Sequence, residues 1–554
     1  MEIMVLDKKK IEKIIILVIF ILASLFLFDR SKYGYIYNDE PFILTLSHRL
    51  VKGDVFMYDE WQPTQLTGFL NYPWMLLFTL THSSTDGMIL YFRHLYVILN
   101  TLAIFFVYYR LSKYSHKKWI TCGACLYLML FSAMDIMTLS YNFYSLIGLT
   151  LFLTLIITGD SKSNAFVAGI FFSVATLASP YLAILFVIYY LLYGVYRYIL
   201  KKERTERVDT TTTYVLFGVI TCVLIFIIFL YATGGSISKM LSTLKYIFTD
   251  NEYPSKSLFQ LIYGYIHTWI KKFRTFGFIF VVFLLISLID KKHRLRWFEL
   301  HLLVFVLLMP RMIHVFKYQF NYLTVQVALL GFHALILDDK RNKCYSLAYL
   351  LGWVFSFVIF ATSDLKQYAL ALGLTLSGFI SFFLIEDYLS KNEKVNITKV
   401  LCVLLVCAQI GTEVYTRNHR YYLDQNTSDN TYMITESVAK GIYVKKKSYD
   451  SYNEILEEIQ TNVPSHAKLL VLSQEPWIYL VNDSEYCTYS AWMTNNKKFK
   501  LHRLKEYYKI HEDKRPEYIY ASKEDYKLKE LQKEFPNFIL ISSSNGYILK
   551  EKDS

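Results

Sequence analysis

Between the first two apolar runs of the chain, Tyr37-Asn38-Asp39-Glu40-Pro41-Phe42 places two carboxylates side by side. Adjacent residues on a helix project in different directions, so Asp39 and Glu40 need not share a proton; one can do acid–base work while the other holds structure. The surrounding segment, 29–87, is acid-rich, with Asp29, Asp54, Asp59 and Glu60 beside the pair. A solvated loop carboxylate is the ordinary reading of any one of these. Asp135 stands at the end of the third apolar run, followed by Tyr141-Asn142, and its ordinary reading is a helix-boundary acid. Cations flank the apolar runs on the same side: Arg49, Arg93, Lys271, Lys272, Arg274, Arg311 and Lys317. Lys271 and Lys272 suit headgroup anchoring by snorkelling. Arg93 and Arg311 sit within or against apolar runs, where an unpaired charge is costly, and His314, Tyr318 and Tyr322 lie beside Arg311.

Other chemistry is not signalled. The chain has no Gly-rich phosphate loop, no HExxH and no nucleophile elbow, which disfavours nucleotide-sugar or ATP chemistry on an inner face. Of the seven cysteines, only Cys487 lies in the polar C-terminal region, so a disulfide framework is not expected. Cys122 and Cys125 form a CxxC without a second ligand pair and read as small residues packing on one helix face. Trp61, Tyr72 and Trp74 read as an interfacial belt, with sugar stacking by one of them also open.

The elements that must position these residues are set by hydropathy. The 554 residues are 54% hydrophobic and 17% aromatic, with mean hydropathy +0.29. The apolar residues collect in runs long enough to cross a hydrocarbon core, which takes about 20 residues of helix. Lys8, Lys9, Lys10 and Lys13 precede the run 14–28, which lacks a small-residue cleavage site and is expected to be an uncleaved first helix. Further runs at 88–109, 119–134, 138–157, 165–178, 181–200, 212–232, 273–289, 297–309, 318–337, 345–361, 367–385 and 400–414 bring the count to about 13. Alternate loops then carry Lys/Arg clusters, such as Lys201, Lys202, Arg204 and Arg207, consistent with a cytoplasmic N-terminus and everything after about Glu413 outside a plasma membrane. Segment 66–80, with Asn71 and Pro73, reads as interfacial or re-entrant, and 239–249 and 258–270 as amphipathic helices on the outer surface. The net charge of +13 is dispersed in these loops, which argues against nucleic acid as a partner.

From about Thr416 the composition turns to Asn, Asp, Lys and Tyr. Short buried strands are expected at 468–473, 517–522 and 538–542, and helices at 452–460 and 523–533. The expected architecture is an all-α polytopic membrane region, 1–415, with a large first external loop at 29–87, and a small extracytoplasmic α/β domain, 416–554.

With this order on the page, an Asp-Glu pair opening a large external loop, followed by His48-Arg49-Leu50, Gly53-Asp54 and Pro63, resembles the GT-C glycosyltransferase superfamily. Within it, the likeness is to the branch of protein O-mannosyltransferases and lipid A aminoarabinose transferases. Asp86-Gly87 and Tyr91-Phe92-Arg93-His94-Leu95 are similar to the family's Arg-opened second helix, and Asp135-Ile136-Met137 to its second external Asp. The likeness covers roughly 10–337. The family's Lys-Pro-Pro or His-Pro-Pro is absent, and Pro63-Thr64-Gln65-Leu66-Thr67-Gly68 stands in its place.

The resemblance implies a glycosyltransferase that moves a sugar from a polyprenyl-phosphate donor to a glycan, lipid or protein acceptor on the outer face, inverting the anomeric carbon. It implies Asp39 as general base, with Glu40 and Asp135 as further catalytic carboxylates. Arg49, Arg93, Lys271, Lys272, Arg274, Arg311, Lys317, Tyr318 and Tyr322 would then hold the donor phosphate. No cofactor is firmly implied; a divalent metal is possible. A lipid-linked saccharide flippase would instead show polar residues at mid-membrane depth and internal repeats. A surface-polysaccharide ligase or polymerase would show a large basic external loop late in the chain.

Overall fold

A computed structural model of the chain describes residues 8–115, 117–131, 136–159, 161–195, 206–247, 256–315, 319–363, 365–391, 396–421, 425–492 and 497–552. Side chains at 8, 206–207, 310–315, 319–321, 396–399, 421, 425 and 497–499 lie outside that description. Asp135, Lys317 and Tyr318, and the side chain of Arg311, therefore fall outside the described residues.

Among the described residues, seventeen α-helices precede the first strand. They are α1 (Lys8–Arg30), α2 (Asp39–Val51), α3 (Leu66–Thr81), α4 (Met88–Ser115), α5 (Lys118–Leu130), α6 (Tyr141–Thr158), α7 (Lys162–Ala178), α8 (Leu182–Gly194) and α9 (Glu206–Ala232). After these come α10 (Ile237–Ile247), α11 (Leu258–Lys272), α12 (Arg274–Ile289), α13 (Arg294–Val315), α14 (Gln319–Leu337), α15 (Lys343–Ala361), α16 (Gln367–Ser390) and α17 (Asn396–His419). Within the described residues, each expected apolar run forms a helix. Among the described residues, seven helices are long and apolar enough to cross a membrane by length and composition, or eight if the bent pair α11–α12 is one span; α5, α7, α8 and 322–337 of α14 are shorter apolar helices. The chain is thus a polytopic helical membrane protein.

α16 is buried along nearly its whole length and forms the centre against which α14 and α15 pack. Close approach needs small residues: a Cβ on Gly373 would overlap the Ser356 backbone of α15. α11 turns by 89° into α12 at Phe273. That is the geometry of a helix lying on a surface before the chain enters a bundle, as its apolar face, Tyr- and Trp-containing, would require.

The C-terminal part follows two small antiparallel pairs, β1 (Arg420–Tyr421) with β2 (Gln425–Asn426) and β3 (Tyr432–Met433) with β4 (Tyr443–Val444). Then come α18 (Lys446–Asn462), β5 (Lys468–Leu472), α19 (Trp477–Val481), β6 (Glu485–Tyr486), α20 (Lys497–Ile510), β7 (Tyr518–Ser522), α21 (Leu528–Glu534), β8 (Phe538–Ser542) and β9 (Gly546–Glu551). The sheet order is β6-β5-β7-β9-β8, with β5 parallel to β6 and β7, and β9 antiparallel to β7 and β8. Glu458 of α18 fixes the β8–β9 turn, accepting from the Ser542 hydroxyl at 2.5 Å and the backbone N–H of Asn545 at 2.8 Å.

This domain does not pack as a separate body. Trp61 of the first loop and Ile247 of α10 belong to the same buried cluster as Leu470, Leu504 and Ile519. Trp61 stacks on Tyr246 at 4.3 Å, nearly parallel, and its backbone N–H donates to the Tyr489 carbonyl at 2.8 Å. The loop and the sheet domain therefore share a core.

Candidate active site at the start of the second helix

Asn38 caps α2, its side chain accepting from the Asp39 N–H at 2.8 Å. The cap puts both carboxylates in the first turn, where the helix dipole favours negative charge. Pro41 follows at a position whose N–H an α-helix does not use. The two acids then part. Glu40 is fully buried and pairs bidentately with Arg93 of α4, Nε to Oε1 at 2.7 Å and Nη2 to Oε2 at 2.6 Å. Arg93 also donates to the Ser31 and Gly34 carbonyls, both at 2.7 Å. Those bonds tie the start of α4 to the chain leaving α1. Asp39 keeps part of its surface open and lies in electrostatic range of Tyr141, at the start of α6.

Tyr35 closes the buried side of the pair. Its hydroxyl is buried without a hydrogen-bond partner, and burial, followed by Tyr452, Tyr37 and Glu40, pushes it well above the ordinary phenol range. α2 rests on α3, where Gly68 lets the Leu46 backbone approach; a Cβ there would lie 2.6 Å from the Leu46 carbonyl oxygen. Asn71 of α3 donates to the Leu139 carbonyl and accepts from the Tyr144 hydroxyl, both at 2.9 Å. The start of α6 is thereby held against α3.

Arg49, one end of the same helix, is buried and committed to the fold. It donates to Asp54 at 2.6 Å, to Glu60 at 2.5 Å, and to the Asp59 and Thr488 carbonyls at 2.8 and 2.9 Å. It sits too deep among its own carboxylates to meet a lipid phosphate in this arrangement, and Arg93 is similarly engaged. His48 bridges the same helix to the sheet domain through the Tyr486 hydroxyl and Asp483, both at 2.9 Å. His511 reaches Asp59 at 3.1 Å and Lys514 reaches Asp54 at 2.5 Å. The loop acids are thus largely consumed by the sheet domain.

The remaining described candidates gather at the α11–α12 corner. Lys271, Lys272 and Arg274 are exposed there, around buried Phe273. Tyr322 of α14 packs on Phe273 and Phe276, with ring centroids at 5.4 and 5.8 Å. The structure therefore sorts the sequence candidates into an acidic site at α2, a buried Arg49 hub, and a basic aromatic corner.

One group went unnoticed in the sequence. In α17, Gln409 donates to Glu413 at 2.8 Å, and Glu413 interacts with Arg417 one turn on; all three are buried. Arg30 of α1 donates to the Arg417 carbonyl at 2.5 Å. A Glu and an Arg four apart at the end of an apolar run were the available signal. Among the described residues, no group of three or more His, Cys, Asp or Glu is arranged to hold a metal ion.

No family model and no curated protein matches this chain. Among solved structures it is similar to the crystal structure of ArnT from Cupriavidus metallidurans in the apo state. The identity is 11% and the TM-score 0.41, over 96% of this chain and 97% of that chain.

Proposed function

We propose that this chain is an integral-membrane glycosyltransferase that transfers a sugar from a polyprenyl-phosphate donor to an acceptor on the outer face of the membrane. The observation that carries the reading is the division of labour at the start of α2: Glu40 is locked by Arg93, and Asp39 beside it keeps an open edge. The quoted sequence likeness supplies the reaction. The acceptor hydroxyl gives its proton to Asp39 as its oxygen bonds to the anomeric carbon. The bond from that carbon to the phosphate oxygen breaks with its electron pair, releasing polyprenyl phosphate and inverting the centre. The growing phosphate charge needs cations, and the exposed Lys271, Lys272 and Arg274 at the basic corner suit that role. Glu40, Arg93 and Arg49 act as positioning residues in this scheme.

The test is transfer of radiolabelled sugar from polyprenyl-phosphate donors to envelope acceptors in membranes, comparing the wild type with Asp39→Asn at equal expression. Loss of a general base lowers the rate by about 10²- to 10⁴-fold. If the wild type consumes no donor, the glycosyltransferase reading fails. The buried Gln409–Glu413 pair and Gln326, whose amide has no hydrogen-bond partner, are what a lipid-linked saccharide flippase would display. Movement of labelled lipid across vesicles without transfer would favour that second reading. The proposed sidedness, with the sheet domain outside, is checked by membrane-impermeant labelling of a cysteine placed at Lys529 in the same vesicles.

A further inference from the structure

Leu501, Leu504, Lys505 and Tyr508 recur at the three-and-four spacing of one face of α20, and together they line a cavity of about 200 Å³. The break between α21 and β8 supplies a second part of the lining. Pro536 stops the helix just past Glu534, and the flanking Phe535 and Phe538 meet edge to face with centroids 5.9 Å apart. Arg515 and Pro516, which lead into β7, supply a third part. A residue before proline is held out of the helical region, and Arg515 stands extended at φ −69° and ψ 135°. Tyr508 is pinned in place, because its hydroxyl donates to the Cys487 carbonyl at 2.7 Å. The cavity is below the range of about 300–1,000 Å³ that takes a drug-sized molecule, so its size suits a single ring or one branched side chain.

The charges of the lining narrow the ligand. Lys505 is matched by Glu534 at 2.7 Å. Arg515 is exposed and, among the described residues, its side chain has no hydrogen-bond or ion-pair partner. A solvated arginine is ordinary; this one lines an apolar cavity and lies in electrostatic range of Tyr508 within it. Lys505 and Arg515 are balanced in number by Glu534 and Glu551, and the Lys552 ammonium, which donates to the Pro536 carbonyl at 3.4 Å, leaves one positive charge over. A single negative charge answers that excess. A phosphate monoester brings about −1.5 to −2 and would meet Glu534 and Glu551 as repulsive neighbours. A carboxylate brings one charge, and its two oxygens fit the planar fork of a guanidinium. The rest of the ligand must be apolar to cover Leu501, Leu504, Phe535 and Phe538.

We propose that the cavity between α20, α21 and the start of β7 is a binding site for an apolar monocarboxylate, its acid group on Arg515 and its ring or branched side chain on the Leu501–Phe535–Phe538 lining. The site stands apart from the Asp39 chemistry and holds whether or not the chain transfers sugar. Such a carboxylate can be a free small acid or the C-terminus of a polypeptide. The experiment is saturation-transfer NMR, titrated to dissociation constants, on the full chain in lipid nanodiscs with empty nanodiscs as blank. The probes are 3-phenylpropanoate, N-acetyl-alanyl-phenylalanine as the acid and as the C-terminal amide, and phenyl phosphate. At least one of the two acids should receive saturation above the blank. Arg515→Gln, at an exposed position, should weaken that binding at least about tenfold, the loss of a charged hydrogen bond. Asn537→Trp, which fills the cavity from an exposed lining position and leaves every charge in place, should weaken it as well. Lys533→Gln, exposed on α21 and outside the lining, should bind as the wild type does. Tighter binding of the dipeptide acid assigns a chain terminus as the ligand, and tighter binding of 3-phenylpropanoate a free acid; the site stands in both cases. Saturation no greater than the blank, equal binding of the dipeptide acid and its amide, equal binding by the wild type and Arg515→Gln, or a preference for phenyl phosphate overturns it.

Discussion

Replacing Arg93 by Met removes the cation that Glu40 is built around and leaves a fully buried carboxylate at the start of α2. Breaking one side of a buried pair costs about 3–5 kcal/mol. At about 1.4 kcal/mol per factor of ten, local opening of α2 should become roughly 10²- to 4 × 10³-fold more frequent. The readout is hydrogen exchange in nanodiscs, following the amides of α2 and the first turns of α4, because a chain of this size need not unfold in a single step. Glu40→Gln combined with Arg93→Met should recover part of the loss, with a coupling of about 1–3 kcal/mol in the double-mutant cycle. Sugar transfer should fall by about 10²-fold through displacement of the neighbouring Asp39, with the donor KM little changed. An Arg93→Met variant with wild-type exchange and a strongly raised donor KM would refute the argument, since Arg93 would then be touching the phosphate itself.

Trp61→Ala empties a site in the shared core of loop and sheet domain and should cost about 3–5 kcal/mol, seen as faster exchange in α10 and α20 while α15 and α16 stay protected. Gly68→Ala forces a methyl against the Leu46 carbonyl and should lower the thermal midpoint by overpacking of about 1–3 kcal/mol; an unchanged midpoint would mean that α2 and α3 can slide apart freely. At Asp483, burial acts to raise the carboxyl, but hydrogen bonds from His48 and Lys52 outweigh it and hold the group at about 2. A depressed acid stabilises above its unfolded value near 4 and loses that contribution as pH falls through its folded value. Because Asp483 is about a third exposed, the effect is screened, and Asp483→Asn should lower the midpoint modestly at pH 5, with the gap closing towards pH 2. A gap that stays constant over that range would show that the carboxylate charge is irrelevant.

Hydropathy alone determined the class. Runs of some twenty apolar residues bounded by lysines and arginines form helices wherever they fall, because hydrocarbon leaves the backbone no other way to satisfy its hydrogen bonds. The amphipathic pieces on either side of residues 248–255 were legible for the same reason, as was the bend where Lys271 and Lys272 meet an apolar run. Strands β5, β7 and β8 could be placed from short apolar stretches, whereas β6 and β9 could not: two or six residues with polar interruptions look like loop until a neighbouring strand pairs with them. α20 was missed because Lys497–Ile510 is dominated by Lys, Tyr and His, and its helix is sustained by burial of Leu504 and Tyr507 beneath the first loop.

The candidate site divides along the same line. Sequence by itself marked Asp39, Glu40, Arg49 and Arg93 as chemically notable, since charges beside apolar runs are rare and costly. It could not say which charge meets which, because pairing across 53 positions, as between Glu40 and Arg93, depends on how α2 lies against α4. Only the tertiary structure turned Arg49 and Arg93 inward to carboxylates, left Asp39 at an open edge, and buried Lys500 without a hydrogen-bond partner. Ion-pair energies fall off over a few ångströms and change sign with burial, so distances that no spacing in the chain encodes decide whether a charge is a strut or a reactive group.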